Sequence, residues 1–522
     1  MKVGKISTAV ISLSALTLGG CQVKKEEVKR PNILFILSDD HTSQAWGIYG
    51  GHLKDYVKND NIKRLANEGC VLNNAFCTNS ISTPSRASIL TGQYSHKNGV
   101  YTLGQPMHPD SVNIAKTLRN NGYQTAIVGK WHLKTQPAGF DFYSVFPGQG
   151  RYWNPLMKST GDKWTDGWKG GKEYKGFSTD IVAGKAIKWM EETDPNKPFM
   201  VMCNFKATHE PFDYPERFKS LYRNVDIPEP ETMFDFSPET TGRSFVGQKL
   251  ENLGWRWEKA SADPDKWWCK YPEMPFSTQG MDSVAARKKI YQKFVKDFMR
   301  CGAAIDDNIG RLLDYLEKSG KAENTIVIYT ADQGYFLGEH GFFDKRLIYE
   351  ESLRMPFVIR YPKEIKGGQR LDDMILNIDF PALLADYAGL ERPDYMQGNS
   401  FRENLKGNTS KEWRKSMYYR YWLHAPIRPG HFGIRNERYK LAFFYGQPLG
   451  MNGADKKTTA PAWEFFDLQK DPKELHNAYN DKEYETVIAE MKKELIQLRE
   501  QYGDTDKQYP VMQDIFKTNW EN

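Results

Sequence analysis

Asn32-Ile33-Leu34-Phe35-Ile36-Leu37, running straight into Ser38-Asp39-Asp40, decides the fold. Five consecutive apolar residues with no polar alternation describe a strand covered on both faces. Runs of the same kind recur at 124–128, 198–204, 325–329 and 356–359. Between them, apolar residues at helical spacing occupy 113–121, 180–192 and 287–318. Strands alternating with helices predict an α/β fold, a large parallel or mixed sheet between helical layers. In such sheets ligands bind beyond the carboxyl ends of the strands. The polar residues closing each run are therefore the ones to read for chemistry.

Away from this frame the pattern changes twice. Between about 224 and 282, prolines, acidic residues and Trp255, Trp257, Trp267 and Trp268 crowd together, which predicts a loop-rich insertion over the surface. Its tryptophans either stack on sugar rings or pin the loop to the body, the commoner use of aromatics. After about 407, short runs at 416–422, 431–435, 439–445 and 463–468 read as antiparallel strands, and 483–502 as an amphipathic helix. The expected organisation is a catalytic domain over 31–406 and a smaller α+β domain over 407–522.

The N-terminus carries an address. Lys2 and Lys5 precede an apolar stretch over 6–18, followed by Leu18-Gly19-Gly20-Cys21. A basic start, a short apolar core and small exit residues describe a secretory signal. A cysteine directly after Leu-Gly-Gly resembles the bacterial lipoprotein signal, which implies lipidation of Cys21 and removal of 1–20. The alternative is a plain signal with an incidental cysteine. Residues 21–30 then read as a polar tether. The expectation is an exported lipoprotein, membrane-anchored on the periplasmic side or at the cell surface. The chain has 522 residues, 72 basic and 66 acidic, for a net charge of +6. The charges are mixed along the chain, so no nucleic-acid footprint is expected. Apart from Cys21, five scattered cysteines form no disulfide framework or zinc spacing.

The most specific local string is Ser82-Thr83-Pro84-Ser85-Arg86-Ala87-Ser88-Ile89-Leu90-Thr91-Gly92. Pro84 suits an early helical position and Gly92 a helix stop. Ser82 is then expected just before the helix N-terminus, where free N–H groups favour an anion, with Arg86 one turn on facing the same anion. Read alone, Ser82 is equally a capping serine. The whole string resembles the signature of the formylglycine-dependent sulfatases, members of the alkaline-phosphatase-like superfamily, and the resemblance continues from Pro31 to about Asn480. It implies that Ser82 is oxidised to formylglycine by an oxygen-independent, radical-type maturation enzyme.

Residue by residue, the resemblance implies a Ca²⁺ site made by Asp39, Asp40, Asp332, Gln333 and the modified Ser82. Gln333 stands where the family more often has asparagine; both side chains offer a carbonyl oxygen. Gly129-Lys130-Trp131-His132 resembles the block in which Lys130 binds sulfate oxygens and His132 hydrogen-bonds the aldehyde hydrate. Lys206-Ala207-Thr208-His209-Glu210-Pro211 resembles the block in which His209 protonates the leaving alcohol. Lys345, in Asp344-Lys345-Arg346, matches a second sulfate-binding lysine. Arg86 adds fixed positive charge.

Asp344-Lys345-Arg346-Leu347-Ile348-Tyr349-Glu350, with Arg354-Met355-Pro356, looks like the N-acetylglucosamine-6-sulfatase branch. So does Trp463-Glu464-Phe465-Phe466-Asp467-Leu468, a pattern widespread among sulfatases. The substrate this implies is a 6-O-sulfated glucosamine unit of heparin, heparan sulfate or a related glycan. His424, Arg428, His431 and Arg435 are the candidates for reading the sugar. Three alternatives stand beside this reading: a sulfatase of galactosamine or galactose esters, a phosphodiesterase or phosphonate hydrolase of the same superfamily, and an inert glycan-binding lipoprotein.

Overall fold

A computed structural model describes residues 30–165, 167–234 and 246–520, with Met1 and Gly4. The expected export signal and Cys21 lie outside the described residues. The deciding stretch forms strand β1 (Asn32–Asp39), buried from Ile33 onward. Nine more strands complete its sheet: β2 (Cys70–Leu72), β3 (Gln124–Lys130), β4 (Phe142–Phe146), β5 (Leu156–Ser159), β6 (Lys172–Glu173), β7 (Phe199–Thr208), β8 (Thr325–Ala331), β9 (Phe357–Arg360) and β10 (Gln369–Leu371). Their order is β10-β2-β9-β8-β1-β7-β3-β4-β5-β6. The central five, β8 to β4, are parallel. β9 and β5 run antiparallel to their neighbours β8 and β4, so the sheet is mixed.

The continuous apolar runs have the expected cause: both faces of the sheet are covered. Ile33, Phe35 and Leu37 belong to one core and Leu34 and Ile36 to the other. Helix α1 (Ser82–Thr91) lines the first core through Ala87, Ile89 and Leu90. Helix α2 (Ser178–Glu191) supplies Val182 and Ala186 to the second.

The insertion is more ordered than its composition predicts. It contains helix α3 (Leu250–Ala262), which buries Leu253 and Trp257 against Ile290 and Phe294 of α4 (Ser283–Lys318). Trp257 is buried, whereas Trp255 and Trp268 are 54% and 61% exposed, so the four tryptophans do not share one use.

Toward the C-terminus, β11 (Ser416–Tyr421), β12 (His431–Asn436), β13 (Tyr439–Phe444) and β14 (Ala462–Asp467) form a four-stranded antiparallel sheet in that order. Helix α5 (Glu485–Tyr502) packs on it through Met491 and Leu495. A last helix, α6 (Pro510–Asn519), was not legible in the sequence; it buries Met512 and Ile515 in the same core. Arg420 on β11 pairs with Asp504 and Asp506 at 2.8 Å each, tying the segment between α5 and α6 to the sheet. Phe432 and Leu441 of the small sheet share one cluster with Phe35 and Leu37, so the two sheets have a common core. The five described cysteines outside the signal are free, four of them buried.

Candidate active site

The chemistry-bearing residues gather at the carboxyl end of the parallel strands. β1 ends at Asp39, and Asp40 turns away with φ +62°. β8 ends at Ala331, followed by Asp332 and Gln333. One carboxylate oxygen from each of Asp39, Asp40 and Asp332 lies within 4.8 Å of the others, all buried. β3 runs two residues further than its apolar run predicts, so Lys130 is the last strand residue. Gly129 makes this possible. Its φ is +96°, and a Cβ there would stand 2.0 Å from the Asn204 carbonyl of β7.

Helix α1 starts at Ser82 itself, capped by extended Ile81, so Ser82 is its first residue rather than the one before. Gly92 ends the helix in the left-handed region as expected. Ser82 Oγ donates to Asp39 Oδ1 at 3.2 Å. Arg86 does not face the open cavity. Its Nε donates to Asp332 Oδ2 at 3.0 Å, its Nη1 to the Lys130 carbonyl at 3.1 Å, and its Nη2 lies 3.5 Å from Asp39 Oδ1. It holds the carboxylates in place.

Lys130 is ion-paired with Asp39 and donates to Gln149 Oε1 at 2.6 Å. Lys345 Nζ donates to Asp40 Oδ2 at 2.6 Å. His209 Nε2 lies 3.8 Å from Asp40 Oδ2, and its Nδ1 pairs with the Glu210 carbonyl at 2.9 Å. His132, at φ +57°, sits with Nδ1 3.4 Å from Thr83 Oγ1 and its ring against Trp168. Asp344 and Arg346 join Asp40 and His132 as non-glycine residues at positive φ. Left-handed residues of this kind concentrate where function over-determines the backbone.

Burial and neighbouring charge set the protonation states. Burial works against charge on Asp39, but Lys130 and Arg86 outweigh it and hold the carboxyl well below the usual range. Burial, with Asp39 and Asp332 beside it, lifts Asp40 to about 7 despite Lys345. Burial pushes Lys130 down to about 8, aided by Arg86 and Lys206 and opposed by Asp39. Burial, then Lys130, holds both His132 and His209 well below the ordinary imidazole value, so both are neutral at neutral pH. A positive ion is what three crowded carboxylates call for. Gln333 supports this: its Nε2 donates to Asp40 Oδ1, while its buried Oε1 has no hydrogen-bond partner. Three carboxylates, a hydroxyl and a spare carboxamide oxygen form an all-oxygen donor set that fits Ca²⁺.

A cavity of about 220 Å³ opens onto this cluster, lined by Asp40, Ser82, His209 and Lys345 together with Leu103, Gln149, Glu210, Arg256, Tyr335, Phe343, Asp344, Arg346 and Arg428. Of the four residues expected to read the sugar, Arg428 alone lines it. His424 is buried, accepts from Gly430 N through Nδ1 and meets the Lys457 carbonyl through Nε2, which shapes the loop leading to β12. His431 is buried in an aromatic stack on Phe444, with Nδ1 on the Pro429 carbonyl. Arg435 pairs with Glu350 at 3.1 Å and sits over Phe76, joining the small sheet to the large domain. The sequence pattern does not single out Gln149, Glu210, Arg256 or Arg346, which also line the cavity. Glu210 and Arg346 adjoin His209 and Lys345 in sequence, whereas nothing in the pattern around Arg256 marks it.

Comparison with known proteins agrees with this geometry. The sulfatase family model matches residues 31–390, and the model for the C-terminal part of N-sulphoglucosamine sulphohydrolase matches 338–501. An N-acetylglucosamine-6-O-sulfatase of Bacteroides thetaiotaomicron is 39% identical, over 96% of this chain and 91% of that protein. The human N-acetylglucosamine-6-sulfatase is 26% identical, over 78% of this chain and 71% of that protein. A structure solved in complex with its substrate D-glucosamine-2-N,6-O-disulfate superposes with a TM-score of 0.82 at 36% identity, covering 92% of this chain and 100% of that one. The phosphonate monoester hydrolase of Agrobacterium radiobacter, at 19% identity and a TM-score of 0.68, shares the fold alone. With a family match over most of its length and a near-full-length relative at this identity, the chain belongs to the sulfatase family.

Proposed function

We propose that this protein hydrolyses 6-O-sulfate esters of glucosamine units in heparin, heparan sulfate or a related glycan, with residue 82 as the nucleophilic position. The observation that carries the reading is Ser82 Oγ, 3.2 Å from Asp39 Oδ1, opening onto a cavity lined by Lys345 and His209. The two relatives named for 6-sulfated N-acetylglucosamine, and the structure bound to a 6-O-sulfated glucosamine, support the choice of sugar.

Asp39, Asp40, Asp332 and Gln333 would hold Ca²⁺, which supplies Lewis acidity toward the sulfate oxygens. Formylglycine at position 82 would supply, as its hydrate, one hydroxyl as the nucleophile and a second whose deprotonation would re-form the aldehyde and release the sulfate carried by the first. An unmodified serine would remain as a stable sulfate ester. The chain's own residues do the rest. Lys345 and Lys130 place fixed positive charge beside the ester oxygens. Arg86 orients Asp39 and Asp332 and favours their ionised forms against burial. His209 is neutral in the free protein; an anionic ester beside it favours its protonated form, which delivers a proton to the departing sugar oxygen. His132 would take the proton in the return step.

Among the described residues one carboxylate cluster of this kind occurs, which favours a one-ion sulfatase over the two-metal phosphodiesterase alternative. Export and anchoring through Cys21 belong to the same proposal: a sulfated glycan is met outside the cell, and a radical-type maturation enzyme would act on Ser82 before export. Growth with a labelled fatty acid tests the anchor, with Cys21→Ala expected to abolish labelling.

The substrate is tested by sulfate release from a panel of 6-O-sulfated N-acetylglucosamine, 6-O- and 4-O-sulfated N-acetylgalactosamine, and sulfated galactose. Release from the glucosamine ester at a kcat/KM at least tenfold above the others is expected. Preference for a galactose-type sugar would overturn the substrate and keep the sulfatase.

A further inference from the structure

The cavity holds more cationic charge than cleavage of one sulfate uses. Besides Lys345 it is lined by three arginines, Arg256, Arg346 and Arg428, brought from three separate parts of the chain. Arg346 follows Lys345 directly, Arg428 comes from the loop before β12, and Arg256 comes from α3 of the insertion.

The carboxylates facing them do not match this charge one for one. Asp344 is shared, 2.9 Å from Arg346 Nε and 3.3 Å from Arg428 Nη1. Glu210 serves Arg256, with Oε2 accepting from Nη1 at 2.6 Å. Asp40, the remaining carboxylate, pairs with Lys345 and belongs to the carboxylate cluster with Asp39 and Asp332. Arg428 thus has half a partner. Repulsion from Arg346, with burial second, holds it below the ordinary arginine value.

The walls that carry Arg256 and Arg428 also touch each other. A Cβ on Gly247 would stand 2.6 Å from Ile427 Cδ1, and Gln248 Nε2 donates to the Lys345 carbonyl at 2.7 Å. The segment of the insertion that leads into α3 is therefore fitted both to the loop of Arg428 and to the backbone of Lys345. The insertion completes the cavity.

We propose that Arg256 and Arg428 form a second anion subsite, which takes an anionic substituent of the substrate other than the ester that is cleaved. A sulfate on the 2-amino group of the same sugar has this chemistry, and so does the carboxylate of a neighbouring uronic acid. Planar guanidinium groups suit either oxyanion. Tetrahedral sulfate, with three free oxygens, can engage both arginines at once, so the sulfamate is the first occupant to test. The inference rests on the sulfatase reading and adds to it the face of the sugar on which this enzyme reads charge.

The experiment measures kcat/KM for three matured proteins, wild type, Arg256→Gln and Arg428→Gln. The substrates are 6-O-sulfated glucosamine with a free amine, with an N-acetyl group and with an N-sulfate, and a disaccharide of N-acetylated 6-O-sulfated glucosamine with a uronic acid. Ratios between substrates within one preparation are independent of the folded or matured fraction. Wild type is expected to prefer the N-sulfated over the N-acetylated sugar by about tenfold or more, the worth of one charge-assisted contact. Each variant is expected to bring that ratio toward one. If the uronate disaccharide carries the preference instead, and the variants erase it, the subsite stands with the carboxylate as its occupant. Equal loss on all substrates would assign the arginines to the cleaved sulfate or to structure and overturn the inference. A wild type with no preference for either anion would also overturn it. Should a glutamine variant lack measurable turnover, Arg428→Lys and Arg256→Lys are read in the same way. No release from any 6-O-sulfated sugar by wild type would instead refute the function on which the inference rests.

Discussion

At the scale of single residues, the site is a balance of buried opposite charges. Asp39, Asp40 and Asp332 are each buried, and each is held by a cation: Lys130, Lys345 and Arg86. Buried ion pairs of this kind contribute little net stability, but removing one partner is costly. Their arrangement fits a metal-binding and anion-binding role better than a structural one. Gln333 is the sensitive test. Its Oε1 is buried without a partner, which a bound cation would satisfy. Ca²⁺ is expected to raise the melting temperature of wild type, and Gln333→Leu to shrink that rise by weakening affinity about tenfold or more. Calorimetry with and without chelator measures both. An unchanged calcium response in the variant would remove Gln333 from the ligand set.

Individual site residues were legible to different degrees. Asp39, Asp40, Asp332, Gln333 and Lys130 follow closely on apolar runs, His209 follows a strand that runs on past its apolar stretch to Thr208, and the family resemblance supplied their expected roles. His424, His431 and Arg435 share that polar character, but their surroundings take them up: a loop carbonyl, an aromatic stack and Glu350. Sequence pattern reports residue type and periodicity; it does not report which neighbour reaches a side chain first. Arg256 illustrates the converse. It lies on a helix in a segment whose prolines and acids read as loop.

At the scale of elements, three backbone devices aim the chemistry: the left-handed turn at Asp40, the glycine before Lys130 and the helix start at Ser82. Gly129 is the tightest. A methyl group there meets the Asn204 carbonyl and Val182 Cγ1, at a φ of +96° that L-residues rarely adopt. Gly129→Ala is therefore expected to cost at least about 2 kcal/mol in urea unfolding. It should also lower kcat more than that loss of folded protein explains, since Lys130 moves with the strand end. Wild-type stability in the variant would show that β3 and β7 part without penalty. Five of the ten strands of the large sheet, β1, β3, β7, β8 and β9, were readable because their runs are continuous and buried on both faces, whereas β2, β4, β5, β6 and β10 are short pieces that the pattern does not mark. α6 was not, because its ten residues carry only Met512 and Ile515 into the core.

At the scale of the whole molecule, the two sheets act as one body. They share a hydrophobic core, and a buried charge cluster crosses between them: Glu350 on the large side meets Arg435 and Lys440 on the small side. Burial opposes the Glu350 charge, yet Arg435, Lys440 and Arg354 hold its carboxyl well below the ordinary glutamate value of 4.5. A depressed folded value means stability that is complete above 4.5 and is lost as pH falls through the folded value. At pH 6, Glu350→Gln is expected to cost about 3 kcal/mol, because three cations, Arg435, Lys440 and Arg354, lose a carboxylate partner. The difference from wild type should narrow as the pH is taken below 4.5. Chemical denaturation of both proteins across that range measures it, and a difference that does not change with pH would show that Glu350 acts by packing alone.

The central claim is that residue 82 is the nucleophilic position of a sulfatase. It is tested most directly by comparing wild type and Ser82→Ala, both co-expressed with an oxygen-independent maturation enzyme and assayed for sulfate release from 6-O-sulfated N-acetylglucosamine in the presence of Ca²⁺. The account predicts release by wild type, a mass at position 82 corresponding to the aldehyde, and no release by the alanine variant. Undiminished release by Ser82→Ala would contradict it.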